Sequence, residues 1–119
     1  MRNARPKTLA AEKKFREAIW LRDRGIDRAT GKPLKRQGDD WNVGQVCHLK
    51  GRGAYPEFKY AIWNAFLMNA HFHRLSDARG GRLLKVIGDD ANGVLEFVMT
   101  DKTGRVLWRR SSAPPDFGD

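Results

Sequence analysis

Apolar residues recur at helical spacing near the start of the chain. The recurring positions are Phe15, Ala18, Ile19 and Leu21. They predict one buried face of a helix that begins near Thr8, an imperfect start signal, and stops before Gly25. Residues 1–7 are basic and polar, and we expect them to form a flexible arm.

A strand pattern follows in the middle of the chain. Residues 43–49 are β-prone, although Gly44 weakens the pattern. Because side chains of a strand alternate between its faces, His48 is expected on one face and Cys47 on the other.

A second strand and a short helix are predicted next. Residues 50–60 contain glycine and proline and favour a loop, and the apolar run 65–68 favours a strand. Asn69 is suited to cap a helix over about 70–78, before the glycine pair 80–81 ends it.

The C-terminal part favours an antiparallel meander. Its three β-prone runs are 83–87, 93–99 and 106–109. Turn-forming residues separate the runs, and residues 111–119 are expected to form a tail. The sequence therefore predicts an α+β fold with an N-terminal helix and a C-terminal hairpin or meander.

Length and composition limit this fold to one domain. A chain of 119 residues has no room for a second core, so residues 8–110 are expected to fold together. Its 40% hydrophobic content, with four Trp and six Phe, suffices for a modest core. No apolar run approaches the roughly 18 residues that a membrane-spanning helix requires, so no membrane partner is expected.

The net charge is the strongest functional constraint from composition. Lys and Arg total 23 against 14 Asp and Glu, which gives a formal charge of +9. Such a domain attracts polyanions, above all nucleic acid, by neutralising phosphates and releasing counterions. Solubility alone is the simpler explanation of the same charge.

The chain has a single cysteine, which limits the disulfide and zinc-binding chemistry open to it. Cys47 cannot form an internal disulfide, which fits a reducing compartment and a cytoplasmic location. It also excludes a structural zinc site made of four cysteines.

Two of the three histidines lie in a recognisable pattern. His48 ends the first predicted strand, Asn64 precedes the second, and His73 follows nine positions later on the predicted helix. The segment from His48 to Arg52 has the form His-x-x-x-Arg. Together these residues resemble the HNH endonuclease superfamily, whose core is the ββα-metal fold.

The resemblance covers roughly residues 19–77. Many members of the family hold a structural zinc ion with two Cys-x-x-Cys pairs, and this chain has other residues at those positions. They are Asp27, Thr30, Asn69 and Phe72. The chain therefore resembles a zinc-free branch that includes phage and prophage members, in which we expect an apolar cluster to replace the metal.

The resemblance implies a metal-dependent DNA endonuclease that nicks duplex DNA or cuts both of its strands. His48 would be the general base, with a backbone carbonyl orienting its second ring nitrogen. Asn64 would shape the surrounding loop through backbone hydrogen bonds. Lys50 and Arg52 would contact phosphates that flank the cut.

The resemblance also implies one divalent ion, which could be Mg²⁺, Mn²⁺, Ni²⁺ or Zn²⁺. His73 would be a ligand, and Asp77, one helical turn later, would be another. Cys47 stands where relatives have Asp or His, so either it binds a transition metal or it only packs. His71 lies two residues from His73 and is expected to face elsewhere.

Two other classes of function fit the same residues. One is a non-catalytic nucleic-acid-binding module on a degenerate HNH scaffold, which the cysteine at position 47 favours. The other is a small structural protein whose histidines belong to the core. The sequence leaves the oligomeric state open.

Overall fold

A computed structural model describes residues 6–50, 55–76, 83–89 and 93–113. It confirms the mixed α+β class, with one long helix and two small antiparallel sheets. The elements are α1 (Pro6–Arg22), β1 (Gly44–His48), β2 (Ala65–Asn69), α2 (Ala70–Leu75), β3 (Leu84–Asp89), β4 (Val94–Thr100) and β5 (Val106–Ser112). No helix in these ranges is long and apolar enough to cross a membrane.

Helix α1 follows the predicted apolar spacing except at Leu21, which is 66% exposed because it lies about 200° around the helix from Ile19. Phe15 and Ile19 are buried on its inner face. Gly25 ends the helix as predicted: it has a φ of 67°, and its N–H donates to the Trp20 carbonyl at 3.1 Å. The helix begins at Pro6, so the expected arm at 1–7 was too long by two residues, since proline is compatible with a first helical turn. Residues 1–5 lie outside the described ranges.

Strands β1 and β2 form an antiparallel pair whose register runs from Gly44 opposite Asn69 to His48 opposite Ala65. The predicted alternation is confirmed, because the His48 ring stacks on Phe15 of α1 while Cys47 is buried on the other face. The β1–β2 pair is thus covered by apolar side chains on both sides.

Helix α2 begins where the sequence predicted. The Asn69 side chain caps it by accepting a hydrogen bond from the Phe72 N–H at 2.7 Å. The helix ends at Leu75, three residues earlier than expected, because the Ser76 N–H and hydroxyl both bond to the His73 carbonyl. Residues 77–82 lie outside the described ranges.

The C-terminal sheet has the order β3-β4-β5, as the turn signals predicted. Strand β5 extends to Ser112, so the expected tail at 111–119 begins too early. Phe97 of β4 meets Phe66 of β2 edge to face, with ring centroids 5.9 Å apart. This contact joins the meander to the β1–β2 pair in one apolar cluster.

A buried carboxylate connects the end of α1 to the rest of the fold. Asp23 is fully buried and accepts hydrogen bonds from the Arg22 guanidinium at 2.8 and 2.9 Å. It also accepts one from the Leu67 N–H at 3.0 Å. The carboxylate therefore fixes α1 against strand β2.

Arg28 extends this network to the meander. Its guanidinium contacts Asp23 at 3.4 Å and donates to the Ser112 carbonyl and the Gly93 carbonyl, each at 2.9 Å. Burial lowers the pKa of Arg28, and the nearby Asp23 carboxylate opposes that shift. The charge is thus retained inside the protein by specific acceptors.

Asp27 and Asn69 form a second buried polar contact. The Asn69 amide donates to the Asp27 carboxylate at 2.7 Å, and the Ala29 N–H donates to the other carboxylate oxygen at 2.9 Å. The sequence resemblance places two of the absent zinc-binding cysteines at these positions. A hydrogen bond therefore joins these two segments, beside the apolar side chains that were expected to hold them.

Replacing Asn69 by alanine should remove the cap of α2 and the donor to Asp27 together. A lost cap costs about 0.5–2 kcal/mol and an unpaired buried acceptor about 1–3 kcal/mol. We expect the free energy of unfolding, measured by urea denaturation, to fall by about 2–4 kcal/mol. Asn69→Ser keeps a cap acceptor and should recover about 1 kcal/mol. Equal losses in both variants would show that the cap contributes nothing.

Candidate functional site

His48 is the last residue of β1, and two contacts fix its half-buried ring. The ring stacks on Phe15 with centroids 5.9 Å apart and planes 19° apart. Its Nε2 lies 2.9 Å from the carbonyl oxygen of Lys59. Because a carbonyl oxygen only accepts, Nε2 carries a hydrogen, and Nδ1 is the basic nitrogen of the neutral ring. The backbone carbonyl expected to orient His48 is that of Lys59.

Asn64 is completely buried immediately before β2. Its side-chain oxygen accepts from the Lys50 N–H at 2.7 Å, and its amide donates to the carbonyls of Lys50 at 3.1 Å and Phe58 at 3.2 Å. The backbone hydrogen bonds predicted for this residue are therefore present. They tie the chain that leaves β1 to the loop that carries Lys59, so Asn64 helps hold the acceptor of His48 in place.

The loop between the strands has local structure that the sequence did not reveal. A 3₁₀ turn over Pro56–Phe58 and another over Ile62–Asn64 bring the chain back to β2. Lys59 follows the first turn directly, which directs its carbonyl to His48.

His73 lies on α2 and contacts the start of β1. Its Nδ1 is 2.6 Å from the side-chain oxygen of Gln45. An amide oxygen accepts, so Nδ1 carries the hydrogen and Nε2 is the nitrogen able to bind a metal. Asp77, the predicted second ligand, lies outside the described residues.

Cys47 has the environment of a core residue. It is completely buried in the apolar cluster that includes Phe66, Leu84 and Phe97. Its sulfur contacts the Gln45 carbonyl at 3.7 Å. Of the two alternatives for this residue, burial supports packing.

The two imidazoles are held at different parts of the β1–β2 pair. His48 contacts α1 and the loop before β2, whereas His73 contacts Gln45, three residues earlier on β1. That separation is roughly 10 Å along a strand. Within the described ranges, no three His, Cys, Asp or Glu side chains form a group that could hold a metal ion. The hydrogen bonds therefore do not bring His48 and His73 together.

Of the two predicted phosphate contacts, the structure describes only Lys50. The Lys50 ammonium lies 5.2 Å from the centre of the Tyr55 ring, and Lys50 itself is exposed. Arg52 lies outside the described residues. His71 is exposed and contacts the ring of Phe72.

A groove of about 770 Å³ lies between α1 and β1, next to His73. Its lining residues are Lys13, Arg16, Trp20, Arg36, Gln37, Gly44, Gln45, Val46 and His73. Three of these side chains are cationic at neutral pH, and none is acidic. The groove is therefore suited to an anionic ligand.

Sequence reasoning missed Gln45, Lys59 and Phe15 as partners of the two histidines. The position of Gln45 on a β-prone run gave no sign that α2 would pack beside it. Lys59 acts through its backbone, which no side-chain pattern reveals. Phe15 was identified only as a core residue of the first helix.

Comparisons of the chain with protein-family models, curated proteins and solved structures found no match. The candidate site is therefore defined by its own residues. They are His48, whose ring is oriented by a carbonyl, Asn64, which holds the loop of that carbonyl, and His73, whose tautomer is set by Gln45.

Replacing Asn64 by alanine should destabilise the protein by about 2–4 kcal/mol, because three partly buried backbone groups lose their hydrogen-bond partner. Urea denaturation measures the loss, and the NMR signals of the His48 ring should shift as its loop moves. Asn42→Ala is the control and should change stability by less than about 0.5 kcal/mol. Similar losses in both variants would contradict the role of Asn64.

Proposed function

We propose that the protein is a metal-dependent DNA endonuclease built on a ββα-metal scaffold of the HNH type. Supporting this, the strand with His48, the buried Asn64, the second strand and the helix with His73 follow one another in a single antiparallel pair and helix. The observation that carries the proposal is the orientation of His48 by the Lys59 carbonyl in a loop held by Asn64.

This geometry gives His48 the properties of a general base. With Nε2 donating to a carbonyl, Nδ1 can take a proton from a water molecule. The water oxygen would attack the phosphorus of a phosphodiester, and the bond to the 3′ oxygen would break. The carbonyl contact also stabilises the imidazolium that forms, since its Nε2 hydrogen bond strengthens with charge.

One divalent ion, Mg²⁺, Mn²⁺, Ni²⁺ or Zn²⁺, belongs to this proposal. When bound, such an ion polarises the phosphate and stabilises the charge on the leaving oxygen. Nε2 of His73 is a suitable ligand, because Gln45 fixes the required tautomer. The buried Cys47 does not fit this role, and the described residues alone do not complete a ligand set. Asp77 remains the proposed second ligand.

The charge of +9 supports duplex DNA as the partner, with Lys50 and Arg52 as phosphate contacts near the cut. The reduced state expected of a lone cysteine supports a cytoplasmic location in a bacterial or phage-infected cell.

A second candidate is a non-catalytic DNA-binding module on the same scaffold. The burial of Cys47 and the separate contacts of His48 and His73 favour it, because both remove groups from a common metal site. The basic surface would then be the functional part.

Plasmid cleavage separates these candidates. Supercoiled DNA is incubated with the protein and Mg²⁺, Mn²⁺, Ni²⁺ or Zn²⁺, and nicked and linear products are measured. For the enzyme, His48→Ala should lower the rate by about 10²–10⁴-fold, because the general base is lost. His71→Ala is the matched control and should retain the rate. DNA binding without cleavage in every metal would favour the module.

Gln45→Leu tests the proposed role of His73. Loss of the orienting oxygen should raise the metal concentration for half-maximal cleavage by about 10–100-fold at saturating DNA. An unchanged metal requirement in both Gln45→Leu and His73→Ala would remove His73 from the ligand set.

A further inference from the structure

The groove between α1 and β1 is lined by cationic side chains and by no acidic one. Lys13 and Arg16 line it from α1, and Arg36 lines it from the segment before β1. The acidic residues of the same helix, Glu12 and Glu17, line an adjoining groove that shares Lys13, Arg16 and Arg36 with this one. One groove therefore presents cations without a carboxylate in its lining, although the helix carries both signs.

The wall of this groove is built by a close approach at Gly44. A side-chain carbon at this position would lie 2.7 Å from the Trp20 ring, so only glycine lets the indole lie against β1. Arg36 covers the indole at 4.4 Å from its centre and is fixed by hydrogen bonds to Glu17 at 2.8 and 3.1 Å. Glu17 therefore offsets the charge of Arg36 at this groove.

Lys13 and Arg16 supply the exposed charge. Both side chains are exposed on α1, and Arg16 contacts Glu12 at 3.6 Å. An exposed ion pair of this kind contributes little energy, so a phosphate can displace it. The side-chain amide of Gln37 adds hydrogen-bonding capacity at the same groove.

We propose that this groove binds the sugar-phosphate backbone of a DNA strand, with Lys13 and Arg16 as its phosphate contacts. The choice of DNA as the ligand rests on the proposed function. The location of the binding site rests on the charged residues that line the groove. Val46 and His73 both line the groove, and β1 continues from Val46 to His48. A strand bound there would pass beside His73.

The test measures DNA binding without metal. Fluorescence anisotropy with a labelled duplex in EDTA gives Kd over a series of salt concentrations. Lys13→Ala/Arg16→Ala should raise Kd by about 10-fold or more and reduce the slope of log K against log salt by about 1.8, as expected for two lost phosphate contacts. Alanine favours the helix, so α1 should remain folded.

The matched control removes two charges elsewhere. Lys102 and Arg105 are exposed on the turn between β4 and β5 and do not line the groove. Lys102→Ala/Arg105→Ala should change Kd by less than about 3-fold, and Lys13→Arg/Arg16→Lys, which keeps both charges, should bind like the unmodified protein. Equal losses in the two alanine pairs would overturn the proposal, because charge alone would then explain binding.

The binding assay and the plasmid assay test the groove and the endonuclease separately, so either proposal can be rejected while the other stands. Groove-dependent binding with no cleavage in any metal would reject the endonuclease and keep the groove. Cleavage that is insensitive to Lys13→Ala/Arg16→Ala would keep the endonuclease and reject the groove as the path of the strand.

Discussion

The buried carboxylate of Asp23 is the interaction on which the arrangement of the elements depends. It accepts hydrogen bonds from Arg22, from the Leu67 backbone and from Arg28, and Arg28 reaches the last residue of β5. Through these hydrogen bonds the Asp23 carboxylate links the end of α1 to strand β2 directly and to the meander by way of Arg28. Burying it is tolerable only with all donors present, because an uncompensated buried charge costs several kcal/mol. The network therefore favours a single arrangement over other compact ones.

The Asp27–Asn69 contact has a related effect beside the candidate site. It joins the turn after α1 to the residue that both ends β2 and caps α2. In the family that the chain resembles, zinc often links these two segments. Here a hydrogen bond and the surrounding apolar side chains do so, and the position of His73 on α2 depends on them.

The candidate site is divided between two faces of the β1–β2 pair. His48 depends on α1 and on the loop held by Asn64, while His73 depends on α2 and Gln45. The basic groove runs between α1 and β1 and reaches His73. This division gives each imidazole its own support.

Local patterns in the sequence determined the elements, because side-chain periodicity, Gly25 and the capping residue Asn69 act within a few positions. They also determined which face of β1 carries His48 and which carries Cys47. Only the tertiary structure decided that Cys47 would be enclosed by the meander, that Lys59 would orient His48, and that Gln45 would meet His73. Those contacts join residues 11 to 50 positions apart. Such distant pairs depend on packing and buried charge, which local periodicity does not encode.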